Sequence, residues 1–72
     1  MTMISESVLW HLRCGAVAVQ CTVTSACAGV DVQITQDGTI IRRERYPDRS
    51  VAYERARAIR LEYEEAGYRL VK

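Results

Sequence analysis

Seventy-two residues, 49% hydrophobic and 26% charged, with a formal net charge of +1, fit one small soluble domain over residues 1–72 and exclude a disordered chain. A chain this short buries only about 60% of its unfolded surface, so its core is marginal and a second copy is a natural way to enlarge it. The near-zero net charge gives no overall pull toward nucleic acid or an anionic membrane.

Residues 1–7 read as a loose leader, without the basic stretch and apolar run of a signal peptide. Val8, Trp10 and Leu12 then alternate with Leu9, His11 and Arg13, the period of a strand. Cys14-Gly15 offers a turn. Val17, Val19, Cys21 and Val23 form one face of a second strand, with Ala18, Gln20, Thr22 and Thr24 on the other. Ser25 to Gly29 is small enough for a loop. Val30, Val32 and Ile34 alternate with Asp31, Gln33 and Thr35 in a third strand.

Asp37-Gly38 is the strongest local signal, since a short polar residue before Gly between apolar runs marks a β-hairpin. A two-residue loop there sets Asp31 opposite Glu44, a like-charge pair. A three-residue loop from Gln36 pairs Thr35 with Thr39 and Asp31 with Arg43. Opposite charges across a ladder contribute roughly 0.2–1 kcal/mol and like charges destabilise, so the three-residue register is expected. Pro47 ends the fourth strand. Asp48 is placed to cap a helix, with Ser50 as the competing cap. Ala52, Ala56, Ile59, Tyr63 and Ala66 fall on one helical stripe, and Gly67 supplies the left-handed stop. Arg60 with Glu64, and Glu54 with Arg57, are spaced to pair along the exposed side. Tyr68 to Val71 is either a fifth strand or a segment packed over the sheet.

The expected fold is therefore α+β: an antiparallel meander of three to four strands packed on one C-terminal helix. One helix covers one face of such a sheet. Leu9, Ala16, Ala18 and Ile41 would then show apolar surface elsewhere, as would Leu61 off the helix stripe, and these five are the candidate interface. Cys14, Cys21 and Cys27 are odd in number and contain no Cys-x-x-Cys pair. They read as reduced thiols, small buried hydrophobes of a cytoplasmic protein. The apolar stretch from Val8 to Val30 is interrupted by His11, Arg13 and Gln20, so no membrane span is expected.

Chemistry-bearing patterns are sparse. His11-x-x-Cys14 lacks the second close ligand pair of a structural zinc site, and on a strand its two members point to opposite faces. The single His has no local nucleophile partner, the four Gly are isolated rather than gathered in a phosphate loop, and Glu62, Glu64 and Glu65 read as a solvated helix end. No metal, cofactor or catalytic residue is assigned, and the chain is expected not to be an enzyme. One cluster remains. Residues 42–60 hold seven Arg against Glu44, Asp48 and Glu54, a local charge of +4. Arg42, Arg43, Arg45, Arg49, Arg57 and Arg60 could form a ridge that follows a phosphate backbone, with Tyr53 for stacking. The interleaved acids argue instead for a charged edge that discourages strand pairing.

The run from Val30 to Tyr46, followed by Pro47-Asp48 and a helix, is a pattern of small bacterial α+β proteins. It resembles in outline the strand-strand-helix halves of single-strand-binding repeats and of antitoxin-type domains. The likeness lies in architecture and brings no functional residue across. The function expected first is non-enzymatic protein association, as a homodimer or with another protein; nucleic-acid binding through the Arg ridge is the alternative.

Overall fold

The computed structural model describes residues 5–26 and 29–71. Five strands and one helix follow in the order β1 (Ser5–Cys14), β2 (Val17–Ala26), β3 (Gly29–Gln36), β4 (Thr39–Tyr46), α1 (Arg49–Glu65) and β5 (Arg69–Leu70). All paired neighbours run antiparallel, in the spatial order β4-β3-β2-β1-β5. The first four strands form the expected meander. The fifth corrects the expected count: α1 carries the chain from the β4 edge to the opposite edge, where Leu70 pairs with Leu12 and the Val71 amide donates to the His11 carbonyl.

β1 also begins earlier than expected. Ser5 to Ser7, assigned above to the leader, pair with Ser25 to Val23, and residues 1–4 lie outside the described residues. β2 runs on to Ala26 and β3 starts at Gly29, so Ser25, Ala26 and Gly29, read above as loop, belong to strands, and residues 27–28 lie outside the described residues. Gly29 follows with φ +144°, and a side chain there would meet the Tyr46 carbonyl oxygen at 2.7 Å. Only glycine combines that backbone with that approach.

Two bulges revise the strand faces. Val8 pairs with Thr22 and Trp10 with Cys21, so Leu9 is the extra residue. Val8, expected beside Trp10, turns to the uncovered face and is 56% exposed, while Leu9 packs against the core. The β3–β4 hairpin closes through two residues, not three. Asp37 itself adopts φ +50° with Gly38 at +88°, the positive pair a tight hairpin needs and Asp tolerates. Asp37 also exchanges two hydrogen bonds with Ala18: its amide donates to the Ala18 carbonyl at 3.0 Å, and its carboxylate accepts from the Ala18 amide at 3.1 Å. The bulge at Ile41 then shifts the register, so Asp31 meets Arg45 rather than Arg43 or Glu44.

The core lies between the sheet and α1. Trp10, Leu12, Val19, Cys21, Val23, Val30, Val32 and Ile34 line the sheet side, and Ala52, Ala56 and Ile59 the helix side. Asp48 caps α1 by accepting from the Val51 amide at 3.0 Å. At the far end the Tyr68 amide donates to the Tyr63 carbonyl and the Gly67 amide to the Glu64 carbonyl, a Schellman closure with Gly67 at φ +107°. Ala66, counted above in the helix stripe, is the exposed C-cap, so the buried stripe ends with Tyr63. Tyr63 stacks edge-on with Tyr68 at 5.1 Å and tilts against Trp10 at 6.1 Å, sealing that end.

Candidate functional site

Two features stand clear of the core: the arginine-rich edge strand β4 and the sheet face that α1 leaves uncovered. On β4 the strand period separates the cations. Arg42, Glu44 and Tyr46 are half-buried on the helix side, while Arg43 and Arg45 are exposed on the other. Glu44 is the hub of the inner set. Its carboxylate accepts from Arg42 Nε at 2.6 Å, from Arg55 Nε at 3.4 Å and from the Tyr46 hydroxyl. The Tyr46 hydrogen bond is the largest cause holding the Glu44 carboxyl below its ordinary range; burial opposes it, and Arg42 and Arg55 assist. Burial first, and then Glu44, push the Tyr46 hydroxyl up. Arg55 therefore ties α1 to β4, a role the sequence reading passed over because Arg55 lies eleven residues from its partner.

The outer set is organised by Asp31, which accepts from Arg45 Nε at 2.7 Å and from Nη2 at 3.3 Å. This two-pronged contact lowers the Asp31 pKa despite some burial. Arg60 pairs with Glu64 at 3.4 Å along α1, and Arg49 donates to Ser25 Oγ at 2.9 and 3.2 Å. Of the six arginines singled out above, Arg42, Arg45 and Arg60 are held by carboxylates and Arg49 by a hydroxyl. Arg43 and Arg57 make no ion pair among the described residues, including the Glu54–Arg57 pair the helix spacing suggested. The ridge is thus divided between two faces of β4 and the helix surface.

The uncovered face is laid out by the registers. One row runs His11, Gln20, Thr35, Ile40; the next runs Val8, Thr22, Gln33, Arg43. Threonine and glutamine occupy the centre, and Thr22 is only 7% exposed. The apolar residues sit at the margins, with Val8 on β1 and Ile40 and Ile41 on β4, each about half exposed. A shallow depression of about 200 Å³ opens among His11, Ala18, Gln20, Thr35, Asp37 and Gly38. Of the five interface candidates, Ala18 lies on this face, Ile41 borders it at the bulge and Ala16 occupies the β1–β2 turn. Leu9 is drawn to the core, and Leu61 is exposed on the far side of α1. Val8 and Ile40 escaped the sequence reading because both bulges had to be known first.

Cys21 is fully buried, and burial pushes its thiol up to about 11, the behaviour of an inert hydrophobe. Cys14 is exposed and free at the β1 terminus; Cys27 lies outside the described residues. Among the described residues no three His, Cys, Asp or Glu side chains gather as metal ligands, and no helix is long and apolar enough to cross a membrane. No protein-family model, curated protein or solved structure matches this chain.

Proposed function

We propose that this domain works through protein association, as a homodimer formed across the uncovered sheet face, without catalysis and in the cytoplasm. One observation supports the reading: β1 to β4 bury one face under α1, and among the described residues nothing covers the reverse side. That side has a neutral Thr and Gln centre, Val8, Ile40 and Ile41 at its margins, and Arg43 and Arg45 along its β4 border. Polar but uncharged residues desolvate at modest cost when their hydrogen bonds are re-made across an interface. A two-fold axis along the strands would lay β1 of one copy over β4 of the other, with the Val8 row against the row ending in Arg43 and His11 against Ile40. Edge-to-edge pairing is the poorer route. β5 is two residues long, and two β4 strands would bring Arg42, Arg43 and Arg45 against their own copies. The free thiols of Cys14 and Cys21 suit a reducing compartment.

Sedimentation equilibrium tests this. The wild-type chain is expected at twice its 8.2 kDa mass. Gln33→Arg, which sets a charge in the centre of the face, should sediment as a folded monomer. A wild-type protein that stays strictly monomeric at high concentration removes the reading.

A further inference from the structure

The outer edge of β4 offers a second surface with a different preference. β4 has eight residues and, among the described residues, a neighbour on one side only, so its outward backbone N–H and C=O groups have no ladder partner there. α1 reaches β4 from the face, through Arg55 and Glu44, which leaves the rim itself open. The side chains that flank the rim are predominantly cationic: Arg42, Arg43 and Arg45 against the single Glu44. Arg43 has no ion-pair partner among the described residues, and the Arg45 side chain remains 57% exposed while bound to Asp31. Both lie on the same face of the strand. Ile40 and Ile41, half exposed at the hairpin end, add apolar contact.

We propose that this edge accepts an extended acidic segment of a partner protein as an added β-strand, with the partner's carboxylates facing Arg43 and Arg45. Main-chain hydrogen bonds would supply the binding and the alternating side chains the choice of partner. A second copy of β4, or any basic strand, is rejected by the like charges opposite it. An acidic strand meets the Arg43 and Arg45 guanidinium groups on one face and, on the other, Arg42 already held by Glu44, with Tyr46 beside them. Association through the uncovered face leaves the outward backbone of β4 facing solvent, while Arg43 and Arg45 border that same face, so the two surfaces adjoin along β4.

A blocked peptide of eight alternating valine and glutamate residues, titrated into isotopically labelled full-length protein at low salt, tests it. The expected result is saturable amide shifts and slowed amide exchange concentrated in residues 39–46. A lysine counterpart should bind roughly tenfold more weakly or not at all, and R43E, on an exposed side chain, should erase most of that preference. Methylating alternate amides of the glutamate peptide should abolish binding. No saturable binding, unchanged affinity of the methylated peptide, or shifts centred on Arg57 and Arg60 would overturn the proposal. So would single-stranded DNA shifting β4 where the peptide does not, which would assign the edge to nucleic acid. Sedimentation of R43E shows whether the dimer survives, so failure of this inference is distinguishable from failure of the dimer.

Discussion

On the helix-covered face, Leu12, Val19, Cys21 and Ile34 are completely buried, whereas their strand neighbours His11, Gln20 and Thr35 leave the opposite face polar and half exposed. The same backbone carries both sets, separated only by the two-residue period of a strand. The covered side supplies the driving force, since burying a Leu, Ile or Val side chain is worth roughly 1.5–3 kcal/mol. Changes on the uncovered side are free to tune contacts because the fold draws little from it. A small domain can in this way divide its strands between holding itself together and meeting something else.

The sharpest way to break that division is to cut into each side in turn. Ile59 is 1% exposed at the centre of the helix stripe, and Ile59→Ala should cost about 2–5 kcal/mol through lost transfer energy and the cavity left behind. Gln33→Ala, on the uncovered face, should change stability by no more than about 0.5 kcal/mol. Chemical denaturation at a concentration too low for association measures both. Comparable losses would mean that the uncovered face is as structural as the covered one, and the division would fail.

Much of this was legible in the chain because period and turn chemistry are local. Val30, Val32 and Ile34 faced the core as their alternation required, Asp48 capped the helix, and Gly67 ended it. What escaped depends on single extra residues. A bulge at Leu9 exchanges the faces of Val8 and Leu9, and the two-residue hairpin together with the bulge at Ile41 moves the partner of Asp31 from Arg43 to Arg45. Neither carries a composition signal of its own. The Asp31 argument identified the right kind of pair, opposite charges across the ladder, but placed it through a longer turn, because the bonds between Asp37 and Ala18 join segments nineteen residues apart. The candidate surfaces suffered most, since exposure on a strand reverses with every one-residue slip.

A smaller test asks how the covered side holds its helix. Trp10 is 5% exposed, and its Nε1–H donates to the Ala56 carbonyl at 3.1 Å, a polar link from β1 into α1 amid apolar contacts. That carbonyl already accepts within the helix, so its loss of the indole leaves no orphaned group. Trp10→Phe should therefore cost roughly 1–3 kcal/mol, from one net hydrogen bond and a partial cavity. A loss below about 0.5 kcal/mol would show that packing alone seats the helix. Trp10 is the single tryptophan, so its emission in the wild-type protein reports this contact directly during unfolding.

The smallest effect lies where the two sides meet, at Glu44 on the β4 edge. The Tyr46 hydroxyl, with Arg42 and Arg55, lowers the Glu44 pKa against the opposing effect of burial, and Arg45 lowers that of Asp31. A carboxyl whose folded pKa is depressed adds stability that is complete above its unfolded pKa, near 4, and disappears as pH falls through the folded value. The wild-type domain should therefore weaken as pH drops below about 4.5, with Glu44 and Asp31 both contributing. Glu44→Gln keeps the shape and the acceptor oxygen but removes the charge, so it should cost at most about 1 kcal/mol at neutral pH and flatten the acid limb. Adding Asp31→Asn should flatten the acid limb further, because Arg45 holds the Asp31 pKa down. Denaturation midpoints measured from pH 7 to pH 3 decide the matter. If Glu44→Gln leaves the acid slope unchanged, the carboxylate hub does not help to clamp α1 to β4, and the helix is held by its apolar stripe and the Trp10–Ala56 hydrogen bond.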